Sequence, residues 1–279
     1  MDSIPFGISR LDSLIGGGAP PGSVVLLASQ SGAGGRELLY TSAVMNAIVG
    51  VNDDLFELHY GTLAANATLP SEVHYISFTT DEAYLTRQMR QTMDTELVDS
   101  AVDRIQFADF STEYFHPSPV PREWYHHEVS ALRDLGTRSK KYETVLEAFG
   151  TYLSEHADGS LVLVDSLTDL LSATSDEITW NDITLLLKGL NKAALQWGGL
   201  VLLLVNVETL DSAELGLLKD SSSGTFLLEW ESGGSKRART MVVQEFRGVL
   251  SRLEDENIVQ FETEIHDGGF DISDVRKMR

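Results

Sequence analysis

Cysteine is absent from the 279 residues. That excludes disulfides and thiolate metal sites, and it fits a chain kept in a reducing, cytoplasmic compartment. Long apolar runs are absent too. The longest, Leu200 to Val205, is the size of a strand and far short of a membrane span. The first residues, MDSIPFGIS, have neither a basic flank nor an apolar core, so no signal peptide is expected. Proline is scarce, 7 residues against 23 glycines, while 42% of the chain is hydrophobic. Such a composition supports one large α/β core, or at most two small domains. No repeat, low-complexity tract or linker is evident. The simplest division is therefore one domain over residues 1–279, with a core over about 5–250 and a C-terminal hairpin over about 255–279.

Positive charge is the other shortage. Lys and Arg total 21, of which 14 are arginine and 7 lysine, against 42 acids, for a formal net charge of −21. The acids are scattered rather than gathered in a tail. That favours a carboxylate-rich surface suited to molar salt over a local acidic docking face. In this respect the chain is similar to proteins of salt-loving archaea. Nucleic acid is a poor partner, because binding a duplex rests on cationic contacts to phosphate, which high salt weakens further.

What is present is organised around Gly22 to Tyr40. The apolar run Val24 to Ala28 reads as a buried strand, the turn Ser31-Gly32-Ala33-Gly34-Gly35 as a glycine loop, and Arg36 to about Val49 as a helix. Strand, glycine loop and helix in that order form a phosphate-binding loop, because glycines let successive N–H groups and the helix N-terminus point at one anion. The working motif is GxxxxGK[ST]. Aligned on Gly34, its first glycine is Ser29, its lysine is Gly35 and its hydroxyl residue is Arg36. The site is outlined without its two chemical residues.

The rest of the chain alternates strands with helices. Strands are expected at Val73–Phe78, Ile105–Phe110, Leu161–Asp165 and Leu200–Asn206. Helices are expected at Asp81–Met93, about Trp124–Leu135, about Thr144–His156, and Asn181–Trp197 with Leu185, Leu186, Leu190 and Leu195 at helical spacing. Val51–Ser71 and the Pro-rich Ser111–Pro121 read as connections. This alternation predicts a parallel sheet covered on both faces. From Gly224 two hairpin-like pairs of strands predict an antiparallel extension at one sheet edge.

Asp165 closes an hhhhD strand more than a hundred residues after the loop, and Asn206 ends the next apolar strand. A carboxylate there can hold the Mg²⁺ that bridges phosphates. The alternative is a cap for the following helix, with Ser166 and Thr168 nearby. His116, His126 and His127 read as solvated or core residues, since adjacent helical positions point apart. Trp124, Tyr125 and Trp197 read as packing.

Over nearly its whole length the chain resembles the KaiC-like branch of the RecA ATPase family. The residues carrying the resemblance are Gly7-Ile8-Ser9-Arg10-Leu11-Asp12 with Gly16-Gly17-Gly18, then Gly22-Ser23-Val24-Val25-Leu26, Val164-Asp165-Ser166-Leu167, Phe246-Arg247-Gly248, and Phe261 with Gly269-Phe270-Asp271-Ile272. Together they are also similar to the haloarchaeal HTR-like or RecA-superfamily proteins. The resemblance implies a RecA-type P-loop core, a mostly parallel sheet covered by helices, and a C-terminal antiparallel extension. It also implies homo-oligomers, often hexamers, with ATP and Mg²⁺ between neighbours. Ser31, Gly32, Ala33, Gly34, Gly35 and Arg36 would face the nucleotide, and Asp165 would be the vestigial metal ligand.

The departures bear on activity. The family's paired glutamates after the second strand fall on Thr79 and Thr80, with Asp81 and Glu82 displaced along the chain. Arg247 stands where members offer an arginine to the neighbour's nucleotide, but the lysine two residues earlier is Glu245. Each charged hydrogen bond to phosphate contributes roughly 1.5–3 kcal/mol, so losing the lysine and the metal ligand weakens triphosphate binding by on the order of 10²–10⁴. A missing general base removes about another 10²–10⁴ in rate. The leading expectation is a non-catalytic regulatory or scaffold protein acting through protein partners or self-assembly, in signalling or gene regulation. The alternative is a slow ATPase using Arg36 and Asp165, with Asp81 or Glu82 as displaced acids and Arg247 in support. A recombinase on DNA ranks third. On sequence alone, Gly35→Lys with Arg36→Thr should restore the phosphate clamp.

Overall fold

Continuous runs of β-branched and leucine residues become the central strands, because parallel strands are buried on both faces. The computed structural model describes residues 2–125, 144–174, 179–231, 238–246 and 258–277. Arg247, His126 and His127, and most of the helix expected at Trp124–Leu135, lie outside the described residues. The strands are β1 (Ser23–Ser29), β2 (Val73–Ser77), β3 (Ile105–Asp109), β4 (Leu161–Asp165), β5 (Leu200–Asn206), β6 (Gly224–Glu231), β7 (Ala238–Phe246), β8 (Ile258–His266) and β9 (Gly269–Lys277). They form one nine-stranded sheet in the order β3-β2-β4-β5-β1-β6-β7-β8-β9. This is an α/β architecture, mostly parallel, with antiparallel C-terminal strands. Gly224 onward differs from expectation in one respect: β6 pairs parallel with β1, and the antiparallel part starts at β7.

The helices are α1 (Ser9–Ile15), α2 (Gly35–Ile48), α3 (Asp53–His59), α4 (Glu82–Thr92), α5 (Thr95–Ala101), α6 (Ser111–Phe115), α7 (Val145–His156), α8 (Leu167–Thr174), α9 (Trp180–Trp197) and α10 (Ser212–Asp220). Alternation along β1 divides the core. Val25 and Leu27 join Leu38, Leu39 and Ala43 of α2 on one face. Val24, Leu26 and Ala28 join Ile183, Leu187 and Leu190 of α9 on the other. The face expected for α9 is therefore rotated: Leu185 is 60% exposed and Leu195 72%. Two expected connections contain helix. Asn52 caps α3 by accepting from Leu55 N–H, and α6 ends before the first proline of the Pro-rich segment, Pro117. Trp124, expected to pack, is 77% exposed.

The registers carry the functional side chains to one edge. Ser77 pairs with Asp165 across β2 and β4, and Ser29 with Asn206 across β1 and β5. The carboxyl ends of these strands therefore lie level with the glycine loop, where open parallel sheets gather their ligands. The terminal hairpin closes over this region from the other side. Phe270 N–H donates to Thr41 Oγ1 of α2 at 2.7 Å, and the Phe270 ring lies against Gly34, where any Cβ would sit 2.8 Å from it. Among the described residues, no helix is long and apolar enough to cross a membrane.

Candidate functional site

The loop leaves β1 at Ser29 and enters α2 at Gly35. Gly32 and Gly34 hold positive φ, 72° and 108°, which lets the chain reverse into the helix. Ala33 N–H donates to Gln30 O at 3.0 Å, and the first helical bond runs from Leu38 N–H to Gly34 O. The first-turn N–H groups of α2 have no partner within the helix by geometry. Gly35, Arg36 and Glu37 of that turn line a cavity of about 510 Å³, a size typical of small-ligand sites.

The central contact of this cavity is ionic. Arg36 Nε donates to both carboxylate oxygens of Asp165, at 3.0 and 3.1 Å. Tyr75 Oη donates to Asp165 Oδ2 at 3.0 Å. Asp165 is 4% exposed, whereas the Arg36 side chain is 58% exposed. Burial pushes the Asp165 carboxyl above its usual range, against the opposing pull of Arg36 and Tyr75. Asp165 in turn pushes the Arg36 titration further up, so the guanidinium stays charged. Burial also raises Tyr75, which keeps its proton to donate. Asp165 does not cap α8; Ser166 makes that contact, with Oγ 2.8 Å from Asp169 Oδ2 and accepting from Asp169 N–H.

These residues do not fit a magnesium site. Mg²⁺ requires near-octahedral oxygen ligands. Both Asp165 oxygens are engaged by Arg36 and Tyr75, and the position of the hydroxyl ligand carries a cation. Nor is there room for the missing lysine. A Cβ at Gly35 would lie 2.7 Å from Ser29 Cβ and 2.7 Å from Leu204 Cδ1. The departures at Ser29 and Gly35 are thus sterically related: the Ser29 side chain, together with Leu204, takes the space that a Cβ at position 35 would need. A direct Gly35→Lys restoration meets this obstruction, which sequence alignment alone does not reveal.

The remaining candidates divide by position. Thr79 and Thr80 line the cavity, and both donate their N–H groups to Ser77 Oγ. Asp81 caps α4, accepting from Tyr84 N–H at 2.8 Å, and Glu82 stands in its first turn. Neither acid lines the cavity. Ser31, Gly32, Gly35 and Arg36 line it, while Ala33 is buried and Gly34 lies against Phe270.

Several partners of the loop escaped the sequence reading. Glu208 accepts from Ser31 N–H at 3.1 Å, and hydrogen bonds from the Ser31 side chain and backbone hold its carboxyl below the usual range. Trp230 Nε1 donates to Ser31 O, and Arg239 Nε to Gly32 O, both at 3.0 Å. The Arg239 guanidinium lies 4.7 Å from the Trp230 ring centroid. Strands β6 and β7 thereby grip the loop from outside. Tyr75, the partner of Asp165, did carry a signal in the sequence, because a tyrosine inside a fully buried strand needs a partner for its hydroxyl.

No protein-family description matches the chain, and no curated protein matches it in sequence. Among solved structures it is similar to the KaiC-like protein PH0186 from the hyperthermophilic archaeon Pyrococcus horikoshii OT3. The identity is 17%, the match covers 98% of this chain and 99% of that one, and the TM-score is 0.59. At that identity the likeness shows the fold, a KaiC-like RecA core.

Proposed function

We propose that this chain is a non-catalytic member of the KaiC/RecA-type fold that acts as a regulatory or scaffold protein in signalling or gene regulation. The observation that carries the reading is the Arg36–Asp165 ion pair. A guanidinium fills the place where a catalytic member would hold a metal ion on this carboxylate. Two further features support it. The lysine position has no room for a side chain, and the cavity lining presents Thr79 and Thr80 where a water-activating carboxylate would be needed. A hydroxyl of ordinary acidity is a poor general base.

In this reading any nucleotide is held weakly and is not consumed. The chain works through protein contacts, with copies of itself, as in a hexameric ring, or with other proteins of a salt-loving cell's cytoplasm. The experiment is phosphate release from ATP with Mg²⁺ at high salt, comparing the wild-type protein with Asp165→Asn. The expected outcome is a rate equal to the protein-free background for both. Turnover by the wild type that Asp165→Asn abolishes would replace this reading with the slow ATPase that uses Arg36 and Asp165.

A further inference from the structure

The cation at this site belongs to the protein. In a metal-dependent phosphate site the order of groups is carboxylate, metal ion, phosphate. Here the order begins with the buried Asp165 carboxylate, followed by the Arg36 guanidinium at 3.0 Å. Only Nε is used in that contact. Among the described residues, the two terminal nitrogens of Arg36 make no hydrogen bond to the protein. They belong to a side chain that is 58% exposed and lines the cavity of about 510 Å³. A guanidinium has five N–H donors in a fixed fork, so four remain after the Asp165 contact. That fork matches two oxygens of a phosphate group.

Asp165 and Tyr75 aim the fork. The carboxylate cannot turn away without leaving a buried charge unpaired, and Tyr75 fixes one of its oxygens. The guanidinium is therefore held beside the first turn of α2, whose N–H groups and dipole also favour an anion. Hydroxyls and amides of Ser29, Thr80, Gln88 and Asn206 complete a polar wall. Glu37 adds a negative charge to the same lining, which disfavours a ligand carrying many uncompensated charges.

We propose that Arg36 replaces the divalent cation, so that this cavity takes a phosphate ester, such as a nucleoside diphosphate, without any metal. The proposal rests on the non-catalytic reading above but has its own test. Binding of ADP and of ATP to the purified full chain is measured by equilibrium dialysis at fixed ionic strength, once with excess EDTA and once with excess MgCl₂. This comparison needs no variant. The expected result is saturable binding with the same affinity in EDTA as in MgCl₂, within about twofold. A second arm uses Arg36→Lys, which keeps the charge and loses the fork. It should weaken ADP binding by roughly tenfold or more, the effect of one charge-assisted hydrogen bond, with the melting profile confirming that the variant is folded. Affinity that rises tenfold with Mg²⁺ would overturn the proposal, and so would the absence of saturable binding of either nucleotide at millimolar concentration. Neither result requires turnover, so failure here and failure of the non-catalytic reading are separate outcomes.

Discussion

At the scale of single residues, the site is shaped by two compensations. One is chemical: Arg36 sets a positive charge beside the buried Asp165 carboxylate. The other is steric: Ser29 occupies space that a Cβ at Gly35 would need, with Leu204 pressing from β5. The steric compensation makes a measurable claim. Gly35→Ala should destabilise the fold by about 1–3 kcal/mol, the usual cost of overpacking, even though alanine is the better helix former. Gly35→Ala placed in a Ser29→Gly background should cost less, giving a coupling of about 1 kcal/mol in a double-mutant cycle. Denaturant unfolding of the four proteins checks it. Additive effects would mean that Ser29 is not what excludes a Cβ at position 35, leaving Leu204 as the remaining obstruction.

At the scale of elements, α1 depends on a buried carboxylate whose role the lead-in motif did not disclose. Asp12 is 1% exposed and accepts from the N–H groups of Phe6, Gly7 and Ile8 at 2.8, 3.0 and 3.2 Å. The Tyr60 hydroxyl, just beyond α3, donates to it at 3.0 Å. One side chain thus satisfies the backbone entering α1 and ties it to the segment after α3. Burial, opposed by these hydrogen bonds, pushes the Asp12 carboxyl from an ordinary 3.8 up to about 7. Because the folded value is the higher one, the folded protein binds this proton more tightly than the unfolded chain does. The contribution to stability is full below about pH 4 and is lost as pH rises through 7. It amounts to on the order of 4 kcal/mol between the two protonation states. Asp12→Asn cannot titrate and sets an amide NH₂ among backbone donors, so it should be less stable at every pH. The advantage of wild type over Asp12→Asn should grow as pH falls from 8 to 4, read from unfolding free energies at constant salt. An advantage independent of pH would show that Asp12 stays ionised when buried.

What the sequence disclosed at this scale follows from how local each signal is. Strands β1, β4 and β5 are apolar runs with polar residues only at their ends, so their existence and burial were legible, and the meeting of Asp165 with the loop was legible through the family resemblance. Helix α3 was not, because its seven residues carry only Leu55, Phe56 and Leu58 as apolar positions, and of these only Phe56 is buried. Helix α9 is leucine-rich on more than one side, so spacing alone could not choose the face bearing Ile183, Leu187 and Leu190. The site shows the same limit. The loop could be outlined from contiguous residues, but its ion pair joins positions 129 apart, and its contacts with Glu208, Trp230 and Arg239 span 177, 199 and 207. Such pairings depend on strand order, which no local pattern encodes.

At the scale of the whole molecule, the dominant quantity is the net charge of −21. At most half of the acids can be paired one to one, since 42 of them face only 21 Lys and Arg. Several of the ion pairs that do form, such as Arg90–Asp99 and Lys188–Asp220, lie in side chains about half exposed or more, where a pair contributes little. Folding brings the remaining carboxylates closer together than they are in the unfolded chain, and their mutual repulsion opposes the compact state. Added salt shortens the range of that repulsion, from about 10 Å at 0.1 M to about 3 Å at 1 M. The exposed ion pairs lose strength under the same screening, but the uncompensated acids outnumber them, so the balance favours folding. The Arg36–Asp165 contact, with its carboxylate buried and its guanidinium partly exposed, is shielded from solvent ions on the carboxylate side and should be less affected than the exposed pairs. Raising KCl from dilute buffer to molar concentration should therefore stabilise the fold by about 2 kcal/mol or more, roughly 4–8 °C in melting temperature for a chain of this size. The choice of salt separates screening from general salting-out, which also strengthens apolar burial. KCl and NaCl should act alike at equal ionic strength, and sucrose, which adds no ions, should give a much smaller shift. A melting temperature that is unchanged from dilute buffer to molar KCl would remove the argument that this surface is built for high salt.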